Sequence, residues 1–197
     1  MHTRRLCALL LGAWLAGMIF MTWVATHNLQ GVDSLLNSSN VQAQRHFRDL
    51  GQDKARVLMR FQAAELNRYY FGAWERAQIL LGIILGITLL FATNGNRLMM
   101  TLAMGMLAIA IIQRLTVTPS VTEIGRGLDF AADGQMQLER QAFWNYHNFY
   151  SALELLKLGL GVGLSVRLLL AGSSGRRVRR AKKLDTVDDA NNGHVDG

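Results

Sequence analysis

The sequence predicts an all-α fold: a four-helix transmembrane bundle of two tandem helical hairpins, with long helical extensions on the outer side. Three observations carry that expectation. The apolar residues, 50% of a 197-residue chain, are gathered into four blocks at 6–26, 77–93, 98–112 and 150–172, and the first three hold no charge. A pattern of aromatic, glutamate and small residues recurs in register in the second and fourth blocks. The segments leading into those two blocks contain no proline, so each helix can begin well outside the apolar part.

A hydrocarbon core of about 30 Å takes about 20 helical residues. The second and third blocks are short of this, and their nearly apolar flanks at 71–74 and 115–117 extend them. That extension admits Glu75, Arg76, Gln113 and Arg114. The spans are therefore expected at about 6–27, 73–93, 97–117 and 149–171. Helices are required because lipid offers the backbone no other hydrogen-bond partner.

The first span opens like a signal peptide, with Arg4 and Arg5 before an apolar run. That run has span length rather than the usual 7–15 residues, so an uncleaved helix is expected. The lone Cys7 leaves no intrachain disulfide and reads as apolar filler near the membrane face. Residues 28–72 form the first outer-side extension and 118–148 the second. Asp53 and Asp133, each after a Gly- or Ala-containing break, are expected as N-caps of the helices entering the second and fourth spans. At 1.5 Å per residue those helices would overrun the bilayer by about 30 Å.

The formal net charge of +7 is concentrated rather than diffuse. Six basic residues lie in 176-RRVRRAKK-183, Arg4 and Arg5 precede the first span, and Arg97 sits in the turn between the second and third. With four spans these lie on one side, so both termini are expected in the cytoplasm of a cell inner membrane protein. The basic run is read as a topogenic anchor, and no nucleic acid is expected as partner. The rest of the tail, within 173–197, turns acidic and polar and is expected to be disordered.

The internal match sets 71-FGAWERAQILLGIILG-86 against 150-YSALELLKLGLGVGLS-165. Phe71 falls on Tyr150, Glu75 on Glu154, Gln78 on Lys157, Gly82 on Gly161 and Gly86 on Ser165. These positions recur every three or four residues, so they form one stripe on each helix. Charges facing lipid cost several kcal/mol, on the order of those for other membrane-buried ions, so the stripe should face inward. The candidate buried polar site is Glu75, Gln78, Arg114, His147, Tyr150, Glu154 and Lys157, with Arg76 close by. The small residues Gly82, Gly86, Gly161 and Ser165 are expected to let helices pack closely, making the second and fourth spans the inner pair. The layer reads equally as a structural ion-pair girdle or as a ligand or proton site.

Other signals point to chemistry less directly. Met99, Met100, Met104 and Met106 suggest copper(I) ligands, but their spacing scatters them around a helix. No Gly-rich phosphate loop, nucleophile elbow or paired-cysteine zinc motif occurs. The stretches 13-AWLAGMIF-20, the exit at 116–119 and 143-FWNYHNFYSALELLKLGLG-161 together resemble a known group. It is that of the uncharacterised four-span bacterial membrane proteins distantly grouped with copper-resistance protein D. The resemblance spans about 5–172; Trp14 and Gly17 match its W-x-x-G-like core and His147 its histidine before the last span. The chain departs from the pattern where Thr26 and His27 replace a proline and where 28–70 is inserted. The family offers no established activity; it implies haem or copper handling at His147 only through distant relatives.

The functional expectation is a non-enzymatic assembly or interaction component of the membrane. A protein partner would meet the outer-side helices around Val57, Phe61, Phe143 and Trp144. Two alternatives stay open: a small proton-coupled transporter using Glu75, Glu154 and Lys157, and a haem- or copper-handling redox protein centred on His147. No cofactor is otherwise predicted, and nothing in the residues specifies an oligomeric state.

Overall fold

The structure is a computed structural model that describes the backbone at 2–93, 96–132 and 134–192 and the side chains at 3–93, 96–132 and 134–170. The described residues are helical, with no strand among them. Helix α1 spans His2–Leu36, α2 Val41–Leu50, α3 Gln52–Thr93, α4 Arg97–Ile112, α5 Thr118–Leu128 and α6 Gln137–Asn192. A π-helical segment, Gln113–Val117, joins α4 to α5 without a break. Three helices are long and apolar enough to cross a membrane: Thr3–Leu36, Gln52–Thr93 and the continuous run Arg97–Leu128.

Local chemistry sets the boundaries. Asn40 caps α2 by accepting from the amides of Gln42 (3.0 Å) and Ala43 (3.2 Å). Gly51, at φ +90°, turns the chain into α3. Because α3 starts at Gln52, Asp53 lies in its first turn rather than at the cap, where it still faces the positive end of the helix. The other expected cap, Asp133, lies outside the described residues, as do 193–197; the side chains of the tail from 171 onward are likewise not described. Asn96 caps α4 through the Met99 amide at 3.2 Å. Pro119 lacks an N–H and so cannot close an ordinary helical turn; the π segment lies just before it.

Neighbouring helices run antiparallel. At one end Arg4 of α1 donates to the Ala92 carbonyl of α3 at 3.4 Å. At the other, Asn28 Nδ2 donates to Asn67 Oδ1 at 2.8 Å and Asn67 Nδ2 to the Ala25 carbonyl at 3.1 Å. Around the bundle the order is α1, α3, α4, α6, so α3 and α6 stand diagonally opposite. The expected close-packed inner pair of those two helices is therefore corrected: each packs along α1 and α4 instead.

The small residues consequently receive side chains, not a partner backbone. A Cβ on Gly82 would meet Leu107 at 2.9 Å and the Trp14 ring at 3.1 Å, and one on Gly161 would meet Leu15 at 2.6 Å. Gly17 does the same for the Trp74 ring at 2.2 Å. Thus α1 and α3 exchange tryptophans over each other's glycines. Trp14 is fully buried in the main core with Leu11, Leu85, Leu89, Met106 and Leu164. Gly17→Val is expected to displace Trp74 and lower stability by about 1–3 kcal/mol, read as an earlier thermal transition in detergent; an unchanged melt would contradict the packing.

A second, smaller core lies on the extension, where Val32 and Leu36 of α1 pack on Ala55 and Ala63 of α3 under Phe47 of α2. The helices thus continue as a packed bundle beyond the apolar part. On the apolar part, Phe20, Leu80, Phe91, Leu115, Leu155 and Leu169 are each 59–76% exposed, the outward face expected of lipid contact.

Candidate functional site

The polar layer is built from three helices. α3 supplies Glu75 and Gln78, the end of α4 and the π segment supply Gln113 and Arg114 with Thr118 just beyond, and α6 supplies Tyr150, Glu154 and Lys157. Glu75, Gln78, Gln113 and Lys157 are all 0% exposed. Lys157 Nζ donates to Glu154 Oε1 at 2.7 Å along its own helix and to Gln78 Oε1 across the bundle. Gln113 Nε2 donates to the same Glu154 oxygen at 3.2 Å and to the Tyr150 carbonyl at 3.3 Å. Beside this chain Thr118 donates to Glu75 Oε1, and Arg114 stands 3.9 Å from Oε2, an ion pair too long for a hydrogen bond.

The layer differs from the expected one in membership. Arg76 is exposed and turned out of the bundle, whereas Gln113 and Thr118 are turned into it. Arg76 directly follows Glu75 and so lies about 100° around α3 from the inward stripe, while the π segment at 113–117 alters the helical register between Gln113 and Thr118. Gly86 and Ser165 lie deeper on the same helices; Ser165 Oγ bonds back to the Gly161 carbonyl at 2.9 Å.

Several buried polar atoms of the layer lack a hydrogen-bond partner: Glu75 Oε2, Gln78 Nε2, Gln113 Oε1, the Tyr150 hydroxyl and the indole nitrogen of Trp74. An orphaned buried polar atom costs about 1–3 kcal/mol. Concentrating five of them at one level makes this the polar weak point of an otherwise apolar bundle.

A lateral cleft of about 360 Å³ between α1 and α6 reaches the layer at Glu154, passing Trp74, Phe71 and Tyr150. A second cavity of about 180 Å³ lies within the extension and shares Phe71, His147 and Tyr150 with the cleft. Phe71 and Tyr150 meet edge to face at 5.7 Å between the two spaces. His147 borders both and is exposed; its ring stacks on Phe143 at 5.9 Å and meets Trp144 edge-on at 5.6 Å. Among the described residues no three His, Cys, Asp or Glu side chains are grouped to hold a metal ion. The methionines do not converge either, since Met99 and Met106 are buried and Met104 is 49% exposed.

Sequence spacing missed a second polar cluster, on the extension. Arg68 forks onto Asp129 at 2.7 and 2.8 Å and also donates to Glu65 at 2.7 Å. Arg126 donates to both Glu65 oxygens at 3.0 and 3.2 Å. Gly125 leaves room for the Arg68 fork, because a Cβ there would meet Nη2 at 3.2 Å. The hydrogen bonds from Arg126 and then Arg68 hold the Glu65 carboxyl well below its usual range, at about 2. A depressed carboxyl stabilises the fold above its unfolded pKa and loses that contribution as pH falls through the folded one. The extension is therefore expected to lose thermal stability between about pH 4.5 and 2, and Glu65→Gln to flatten that dependence; identical profiles would contradict the linkage.

Compared with protein-family models, with curated proteins and with solved structures, the chain matches none.

Proposed function

We propose that the chain is a four-span membrane protein of two tandem hairpins, α1 with α3 and α4–α5 with α6, both termini cytoplasmic. It works without catalysis, as an assembly or interaction component that docks a protein partner on its outer-side helices. For α6 as the fourth span, the support is that its Lys157 is turned fully inward while Leu155, Val162, Val166 and Leu169 are turned out. Arg167, exposed near the cytoplasmic end, can snorkel. For the duplication, the support is that corresponding positions of the repeat meet: Phe71 touches Tyr150 and Gln78 bonds Lys157. A two-fold axis along the bundle brings equivalent residues of diagonal helices together in this way. For the orientation, Arg4 and Arg97 stand at the same end of the bundle as Ala92.

The observation that carries the interaction role is apolar surface beyond the span-length region. Val57, Leu58, Phe130, Leu138 and Trp144 are 41–80% exposed on helices held rigid by the Arg68–Asp129–Glu65 network. Leu50, Val57, Leu58 and Phe130 surround one apolar hollow of about 400 Å³. A photo-crosslinking residue at Val57 or Phe130, in native membranes, is expected to yield one protein adduct of common mass, abolished by Leu58→Asp. Adducts no different from those at lipid-facing Phe91 would overturn the reading.

A second reading, a proton-coupled carrier, is favoured by one observation: Glu154 joins the fully buried Lys157 to the open cleft. On that reading Glu154→Gln abolishes uptake without lowering the amount of protein in the membrane.

A further inference from the structure

We propose that the cleft between α1 and α6 binds a hydrophobic organic cation, a protonated amine or quaternary ammonium carried on an apolar body. The proposal concerns binding alone and stands apart from partner docking on the outer-side helices. Of the residues that line the cleft, Glu154 is the only one with a formal charge. Its counter-charge, Lys157, is fully buried behind it and does not reach the cleft. Both Lys157 and Gln113 donate to the same carboxylate oxygen, Oε1. Among the described residues Lys157 and Gln113 both reach Oε1 rather than Oε2, the Tyr150 hydroxyl stands near the same carboxyl, and the Glu154 side chain keeps 22% of its surface accessible. An entering ligand therefore meets carboxylate oxygen and no ammonium.

The walls suit the same charge. Phe71, Trp74 and Tyr150 present π surfaces, and a cation over such a face gains about 0.5–2 kcal/mol, more where water is excluded. The rest of the lining is aliphatic apart from Thr22, Thr26, Ser151 and His147, and it opens between Ile19 (64% exposed) and Leu155 (69% exposed), toward the side where lipid lies. A volume of about 360 Å³ lies in the range of small-molecule sites, about 300–1,000 Å³. An anion would meet the carboxylate ahead of the Lys157 ammonium behind it, and a neutral apolar molecule would desolvate Oε2 without giving it a donor. The same ammonium chemistry can come from a free lipophilic cation or from an aminated lipid headgroup.

The test uses the full chain purified in a neutral detergent, with tetraphenylphosphonium and its anionic counterpart of the same shape, tetraphenylborate, followed by equilibrium dialysis. Saturable binding of the cation alone is expected, weakened at least tenfold by Glu154→Gln and unchanged by Glu123→Gln. Should Glu154→Gln fail to fold, Thr22→Trp fills the cleft without altering charge and is expected to remove binding equally. In nanodiscs, competition by phosphatidylethanolamine relative to phosphatidylglycerol would mark the lipid headgroup as the occupant, and equal binding a free cation. Equal affinity for the two ions, or full binding in both Glu154→Gln and Thr22→Trp, would overturn the proposal.

Discussion

Lys157→Met is expected to lower the unfolding free energy by about 3–5 kcal/mol, the range for removing one partner of a buried ion pair. The ammonium is 0% exposed and is the hub of the layer, bonded to Glu154 on its own helix and to Gln78 of the diagonal one. Its loss leaves the part-buried Glu154 carboxylate without a counter-charge and strands the Gln78 carbonyl. Adding Glu154→Gln removes the uncompensated charge, so the double variant should regain about half the loss or more. Arg76→Met, at an exposed site one turn away, is expected to change stability by only about 0.5 kcal/mol or less. Denaturant titration in mixed micelles measures all three. A Lys157→Met protein as stable as the parent would mean the layer is not held together by this charge.

The second large effect belongs to the extension. Arg68→Ala is expected to cost about 2–4 kcal/mol locally, because a bidentate pair with both members largely buried leaves Asp129 (9% exposed) without a counter-charge. Asp129 follows α5, whereas Arg68 and Glu65 belong to α3, so the break separates those helices. Protease nicking should rise within 118–132 while the apolar bundle below stays closed. Arg68→Lys should rescue poorly, since a single ammonium cannot make the fork. Nicking no faster than in the parent would show that α5 is held by apolar contacts with Phe143 and Phe61 alone.

Much of this was legible in the residues. Uncharged blocks announced helices of membrane length, and the register of Phe71, Glu75 and Gln78 against Tyr150, Glu154 and Lys157 announced which faces turn inward. Periodicity reports a face, however, and not the neighbour it meets. It placed Gly82 and Gly161 on the inner stripe correctly, yet could not say that they receive Trp14, Leu107 and Leu15 rather than a backbone. Gln113 and Thr118 were not among the expected members, because the repeat compares only the second and fourth blocks and carries no register for the third. The Arg68–Asp129 pair joins residues far apart in the chain, and no local pattern encodes such a meeting. Pro119 was the one local sign that the run Arg97–Leu128 departs from regular geometry.

A double-mutant cycle between Gln78→Leu and Lys157→Met tests most directly whether residues of two non-adjacent helices share one interior. If they do, the two changes are coupled by about 1 kcal/mol or more in unfolding free energy. Effects that simply add, within about 0.5 kcal/mol, would place the two side chains in separate surroundings and contradict the shared layer.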